Sequence, residues 1–184
     1  MAEVYNRPPT KPPSEIAVKS PMWTFISELL RSVYLIWDRT RNSVTKLNAN
    51  TTTVGNVSTG EDDLMTYSLS ANQLQAGSCV RISAWGTIAN NANSKTLKLY
   101  FGSVVLTASL PTSVAETWRV EAVIIASDAN AQSYSASIIT ATSQDAESGT
   151  LTETDTDAIE IKCTGEATST NDITQNGLSV EYLY

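Results

Sequence analysis

Residues 79–101, CVRISAWGTIANNANSKTLKLYF, decide the fold. Val80, Ile82 and Ala84 alternate with Arg81 and Ser83, and Leu97, Leu99 and Phe101 alternate with Lys98 and Tyr100. A period of two with polar residues on the opposite phase describes an antiparallel strand that has one face in a core and one in water. The same alternation returns in Trp118, Val120, Ala122 and Ile124, and in Ile159, Ile161 and Cys163. Working outward from these runs, strands are expected over 64–69, 79–89, 95–101, 103–109, 117–127, 132–141, 157–164 and 178–184. No helical period falls among them. Eight such strands in a mainly β region predict an antiparallel β-sandwich, for which a jelly-roll-like arrangement is the familiar eight-strand solution. The final run, LSVEYLY, reaches the last residue and is expected to tie that end into a sheet.

One segment upstream has a different period. Ser20–Thr40, SPMWTFISELLRSVYLIWDRT, places Met22, Ile26, Leu29, Val33 and Ile36 at spacings of four and three, the seam of a heptad helix. Ser20 is a favoured N-cap, and Pro21 sits where a missing N–H is not needed. Trp23, Leu30 and Trp37 repeat every seven residues beside the seam. Each large side chain in such a stripe gains roughly 1.5–3 kcal/mol on burial. The surrounding chain supplies no second helix, so the partner is expected to be another copy of the chain, another protein, or both. A membrane span is not expected, because the apolar run is short of the ~20 residues required and contains Glu28 and Arg31. A signal peptide fits no better, lacking a basic lead into a charge-free core.

Before the helix, residues 1–20 carry RPPTKPPSE and no glycine, which reads as an extended, polyproline-like arm with Tyr5, Ile16 and Val18 as candidate anchors. After it, residues 41–63 are rich in Thr, Asn and Gly and read as a linker with one short strand over 51–54. The division expected is therefore 1–20 arm, 21–40 helix, 41–63 linker and 64–184 β head. Asn50-Thr51-Thr52 and Asn56-Val57-Ser58 match the glycosylation pattern by chance in a chain without a secretion signal.

The 184-residue chain has a formal net charge of −7 that is unevenly placed. Residues 1–50 hold seven basic and four acidic residues, and residues 51–184 hold five basic and fifteen acidic. An acidic head argues against nucleic acid as a partner. Histidine is absent, which excludes Ser-His-Asp and Cys-His catalysis and histidine zinc sites. Cys79 and Cys163 lie in separate strand runs and read as free thiols for a chain assembled in a reducing cytoplasm. A bridge would need them on adjacent strands. The acidic clusters are Glu61, Asp62 and Asp63, and the alternating run Glu153, Asp155, Asp157 and Glu160. Alternation would gather three of these on one face, where Ca²⁺ could relieve their repulsion, yet the EF-hand spacing is missing and a solvated loop is the simpler reading. No pair is marked for glycoside hydrolysis, and there is no phosphate loop or CxxC. The residues therefore point to no enzyme, no cofactor and no metal. Trp85 and Trp118 could stack on a sugar, although both lie in strand runs and are expected in the core.

The stretches NANTTTVGNVSTGEDDLMTYSL (48–69), CVRISAWGTIANNANSKTLKLYFGS (79–103) and ETWRVEAVII (116–125) resemble a group of small tailed-bacteriophage virion proteins. The helix, with Trp23, Phe25, Leu30, Tyr34 and Trp37, is similar to the anchor segments that precede β heads in phage fibre and decoration proteins. The resemblance covers residues 48–125 and fades after Ser127. It implies a non-enzymatic homotrimer in the virion, assembled in the host cytoplasm, as a tail fibre, head fibre or capsid decoration. Residues 1–40 would dock on a tail adaptor or capsid protein, and a host-surface glycan is the candidate ligand of the head. The interface implied is Met22, Trp23, Phe25, Ile26, Leu29, Leu30, Val33, Tyr34, Ile36 and Trp37. The alternative is a carbohydrate-binding β-sandwich module in which Trp85 or Trp118 is exposed.

Overall fold

The computed structural model describes residues 21–41, 44–57 and 59–183. The chain divides into two compact units, one running through residue 43 and the other spanning Val44–Leu183. In the first, Pro21–Arg41 form the helix α1, as the proline start and the heptad spacing require. None of its described side chains is buried. Ile26 and Tyr34 are half-buried, whereas Met22, Phe25, Leu29, Leu30, Val33, Leu35 and Ile36 are 39–68% exposed. The expected arm over 1–20 and the side chains of Trp23 and Trp37 lie outside the described residues. No helix among the described residues is long and apolar enough to cross a membrane.

The second unit contains eleven strands: β1 (Val44–Asn50), β2 (Val54–Gly55), β3 (Glu61–Leu69), β4 (Cys79–Ile88), β5 (Lys95–Phe101), β6 (Ser103–Leu110), β7 (Glu116–Asp128), β8 (Ala131–Thr140), β9 (Gln144–Leu151), β10 (Ile159–Ala167) and β11 (Ile173–Leu183). They form two antiparallel sheets. The larger runs β1-β11-β4-β7-β8-β9, with β2 also paired to β11, and the smaller runs β3-β10-β5-β6. Set β8, β9 and β2 aside, and the remaining four-on-four order is that of a jelly roll, with the β8–β9 hairpin as an extension of one sheet. The alternating residues read from the sequence fill the space between the sheets. Val80, Ile82, Leu97, Leu99, Phe101, Val120, Ile124, Ile161, Cys163 and Val180 are all fully buried in one cluster.

Two corrections concern polar strands. Residues 41–63, expected as a linker, contain β1, β2 and the start of β3, and both β1 and β2 pair with β11. β1 is an edge strand in which Leu47 alone packs on the core, so it shows no apolar alternation. β9, the sequence QDAESGTL, was not expected at all. It is held by its backbone ladder to β8, and only Leu151 is buried. The side it shares with β6 is closed by a side chain, since the Thr107 N–H donates to Glu147 Oε1 at 3.0 Å.

Two tryptophan–glycine pairs mark the centre of the larger sheet. Trp118 lies opposite Gly86 on the core side, and a Cβ on Gly86 would come within 2.6 Å of its ring. Trp85 lies opposite Gly177 on the outer side, where a Cβ would come within 2.1 Å of the indole. In each pair the missing Cβ lets the indole approach the neighbouring backbone, and at Gly86 a Cβ would also strike the Thr174 carbonyl.

Candidate functional site

The sandwich carries three concentrations of chemistry, at one end, on the outer face of the smaller sheet, and on the outer face of the larger. At the end, the β4–β5 and β10–β11 loops are locked by buried polar groups. Asp172 accepts from Asn91 Nδ2 at 2.5 Å, from Asn93 Nδ2 at 2.7 Å and from the Ser169 N–H at 3.0 Å. Burial raises its pKa, but these hydrogen bonds and the Lys95 charge prevail and hold it below the usual carboxylate range. Lys95 is itself buried, with Nζ donating to Asn91 Oδ1 at 2.7 Å and to the Asn93 carbonyl at 3.1 Å. Asn56 is fully buried, accepting from the Ile173 N–H and donating to the Ser169 carbonyl. Asn56 therefore cannot carry a glycan on this fold, and its match to the glycosylation pattern is structural in use. Beside these loops a shallow cleft of about 180 Å³ is lined by hydroxyls, backbone and the Glu166 carboxylate.

On the smaller sheet, Glu61 is the hub. Its carboxylate accepts from Lys98 Nζ at 2.5 Å, Tyr100 Oη at 2.5 Å and Thr164 Oγ1 at 2.7 Å. Burial alone pushes its pKa up, yet the three hydrogen bonds and the Lys98 charge reverse this and bring it to about 2. Lys162 bridges Asp63 at 3.0 Å and Glu160 at 3.2 Å and sits 5.5 Å from the Tyr100 ring centre. Asp62 accepts from the Val57 N–H. The first acidic cluster of the sequence is thus spread over three separate partners.

The second acidic run is dispersed as well. Glu153 accepts from the Ser103 N–H at 2.8 Å and Oγ at 2.6 Å, against the β5–β6 turn where Gly102 has φ 63°. A side chain on Gly102 would collide with this carboxylate. Asp155 is nearly buried and accepts from the Leu74 N–H at 2.8 Å, pinning a loop 81 residues upstream. Among the described residues, no three His, Cys, Asp or Glu side chains are placed to hold one metal ion. The cysteines are both free. Cys163 points into the core, where burial pushes its thiol to about 12, while Cys79 is half-buried on the outward phase of β4.

The outer face of the larger sheet departs from expectation. Trp118 is buried, at 1% exposure, but Trp85 is not: 39% of it meets solvent. The correction was legible in the strand itself. Val80, Ile82 and Ala84 set the inward phase, so Trp85 belongs with Arg81 and Ser83 on the outward one. Its ring lies against the Gly177 backbone, and across the sheet it is followed in register by Arg119 and Ile139. Arg119 is ion-paired with Glu121. A partly exposed indole packed against backbone, beside an exposed charged pair, can stack on a ring and offer hydrogen bonds to its rim. The described helix residues of the expected interface stand as an exposed stripe on α1.

Comparison with protein-family models and with curated proteins gives no match. Among solved structures the chain is similar to the CBM2 module of the evolved Dit of Lactobacillus casei BL23 phage J-1, at 8% identity, 77% coverage of this chain, 96% of that one and a TM-score of 0.39. It is similar to lectin UEA-II complexed with galactose, at 8% identity, 78% and 92% coverage and a TM-score of 0.37. A third likeness is to infectious bursal virus derived T=1 particles, at 13% identity, 77% of this chain, 39% of that chain and a TM-score of 0.30. At TM-scores below 0.5 these likenesses assign no ligand and no assembly to this chain.

The Glu61 hub gives a pH prediction. Its native pKa of about 2 lies below the unfolded value of roughly 4.3, so its contribution is complete above the unfolded value and is lost as pH falls towards 2. Glu61→Gln should lower stability to urea modestly at pH 5–7, because the cluster is partly solvated. The gap to the native chain should close between pH 4 and 2. A gap that stays constant down to pH 2 would contradict the assignment.

Proposed function

We propose that this chain is a non-enzymatic structural protein of a tailed-bacteriophage virion, a homotrimeric short tail fibre or head decoration. Residues 1–40 attach it to a tail adaptor or capsid protein, and the β-sandwich projects outward. The observation that carries this reading is the exposed apolar stripe of the described α1 residues, in a chain whose sandwich unit packs a core of its own. Resemblance of residues 48–125 to phage virion proteins supplies the particle. The heptad seam supplies self-association. Its alternating positions hold Ile26 and Val33 on one side and Met22, Leu29 and Ile36 on the other. Ile26 and Val33 with Leu29 alone would suit two strands, and Ile36 suits three. Phe25 and Leu30 make the stripe wider than a two-stranded seam needs, which favours three.

Leu29→Asp tests this directly. Three copies would bring three carboxylates into one layer of an apolar axis, and even one unpaired buried charge costs several kcal/mol. Light scattering should give a trimer for the native chain and a monomer for Leu29→Asp, with the far-UV spectrum of the sandwich intact. A native chain that is monomeric or dimeric, or a variant that stays trimeric, would overturn the role given to α1.

A second reading, a carbohydrate-binding module, is favoured by one observation, the half-exposed Trp85 packed against Gly177. The two readings are compatible if the head contacts a host-surface glycan. Host-surface polysaccharide should then quench tryptophan fluorescence, and Trp85→Ala should reduce binding at least tenfold without unfolding the chain. Equal binding by the variant would remove this reading.

A further inference from the structure

The two outer faces of the sandwich differ in what they expose. On the smaller sheet the outward charged residues are Glu61, Asp63, Glu160 and Glu166 against Lys98 and Lys162. On the larger sheet they are Lys46, Arg81 and Arg119 against Glu121, Asp128 and Glu181. In a head with fifteen acidic and six basic residues, the larger sheet therefore presents the balanced face, which a second copy can approach without net repulsion. Near one end, that face also carries an uncharged row. Val44 on β1 pairs with Leu183 on β11, Leu183 with Cys79 on β4, and Cys79 with Ile125 on β7. Val44 is 52% and Ile125 49% exposed, so about half of each side chain meets solvent on this face. The neighbouring row, Lys46–Glu181–Arg81, alternates in sign and contains the Arg81–Glu181 ion pair at 3.3 Å.

The row begins where the helix unit ends. Only Asn42 and Ser43 separate Arg41 from Val44, and three Cα–Cα steps reach at most about 11 Å. Helices packed 8–10 Å apart in a parallel seam would therefore start three copies of Val44 from neighbouring points. We propose that the row Val44–Leu183–Cys79–Ile125 is a head-to-head contact, where the sandwiches of neighbouring copies meet around the three-fold axis. This rests on the trimeric reading above and adds to it a second interface. It also assigns the two ends of the larger sheet to different tasks. Trp85 lies six residues along β4 from Cys79, about 20 Å at strand rise, and stays outside the contact.

Cys79 reports on the row, and fully buried Cys163 stays silent. The rate at which Cys79 reacts with an aromatic disulfide reagent should be at least tenfold slower in the native trimer than in the Leu29→Asp monomer. Ile125→Asp and Val44→Lys change exposed side chains, so both should fold and remain trimeric through α1. Each should return Cys79 to the monomer rate. A trimer in which Cys79 reacts as fast as in the monomer overturns the head-to-head contact alone. A native chain that is monomeric overturns the trimeric reading and this inference together. If Leu29→Asp remains a trimer with Cys79 protected, the heads hold the assembly themselves. That result supports the row and removes the helix from the assembly.

Discussion

The sandwich saturates its own core, and everything proposed for this protein depends on that constraint. Both sheets turn their alternating apolar residues inward, and among the described residues the buried hydrophobic ones run from Leu64 to Tyr182. Seven large apolar side chains on the helix are left exposed. At about 1.5–3 kcal/mol for each one fully buried, covering them is worth on the order of 10 kcal/mol per chain. Domain stabilities are themselves only about 5–15 kcal/mol. A stripe of that size cannot be neutral for the molecule. It is either an interface or an aggregation hazard, and the regular heptad spacing argues for the interface.

Charge plays a different role in the head. The acidic residues that could suggest a metal or catalytic site are committed to the backbone and to lysines. Glu153 holds the β5–β6 turn, Asp155 holds the loop before β4, Asp172 holds two asparagines, and Glu61 gathers Lys98, Tyr100 and Thr164. Each of these contacts joins segments distant in sequence, so the carboxylates act as staples for loops that a sandwich must otherwise leave loose. The same arrangement leaves the outer face of the larger sheet balanced in charge, with one uncharged row running from Val44 to Ile125.

Much of the fold was readable from the chain. The strands with clean alternation, such as β4, β5 and β7, fall where period two places them, and α1 spans Pro21–Arg41 against an expected 21–40. What could not be read has a common cause. β1 and β9 are edge strands with few buried side chains, so their ladders are specified by backbone pairing that leaves no hydrophobic pattern. The Asn91–Lys95–Asp172 cluster and the bond from the Ile173 N–H to Asn56, 117 positions away, have no local signature. Trp85 is different, because its outward phase was present in the strand, and assigning it to the core put residue type ahead of period. The helix stripe was recognised as needing cover, and its sequence alone leaves the number of strands open.

Hydrogen exchange along α1 tests the central claim most directly. A lone 21-residue helix with its apolar stripe in water is marginal, whereas a helix packed in a seam keeps its amides closed. The account predicts that the α1 amides of the purified native chain exchange at least 100-fold more slowly than an unstructured peptide, with protection that falls on dilution. Exchange of α1 at unstructured rates, while the sandwich strands remain protected, would contradict it.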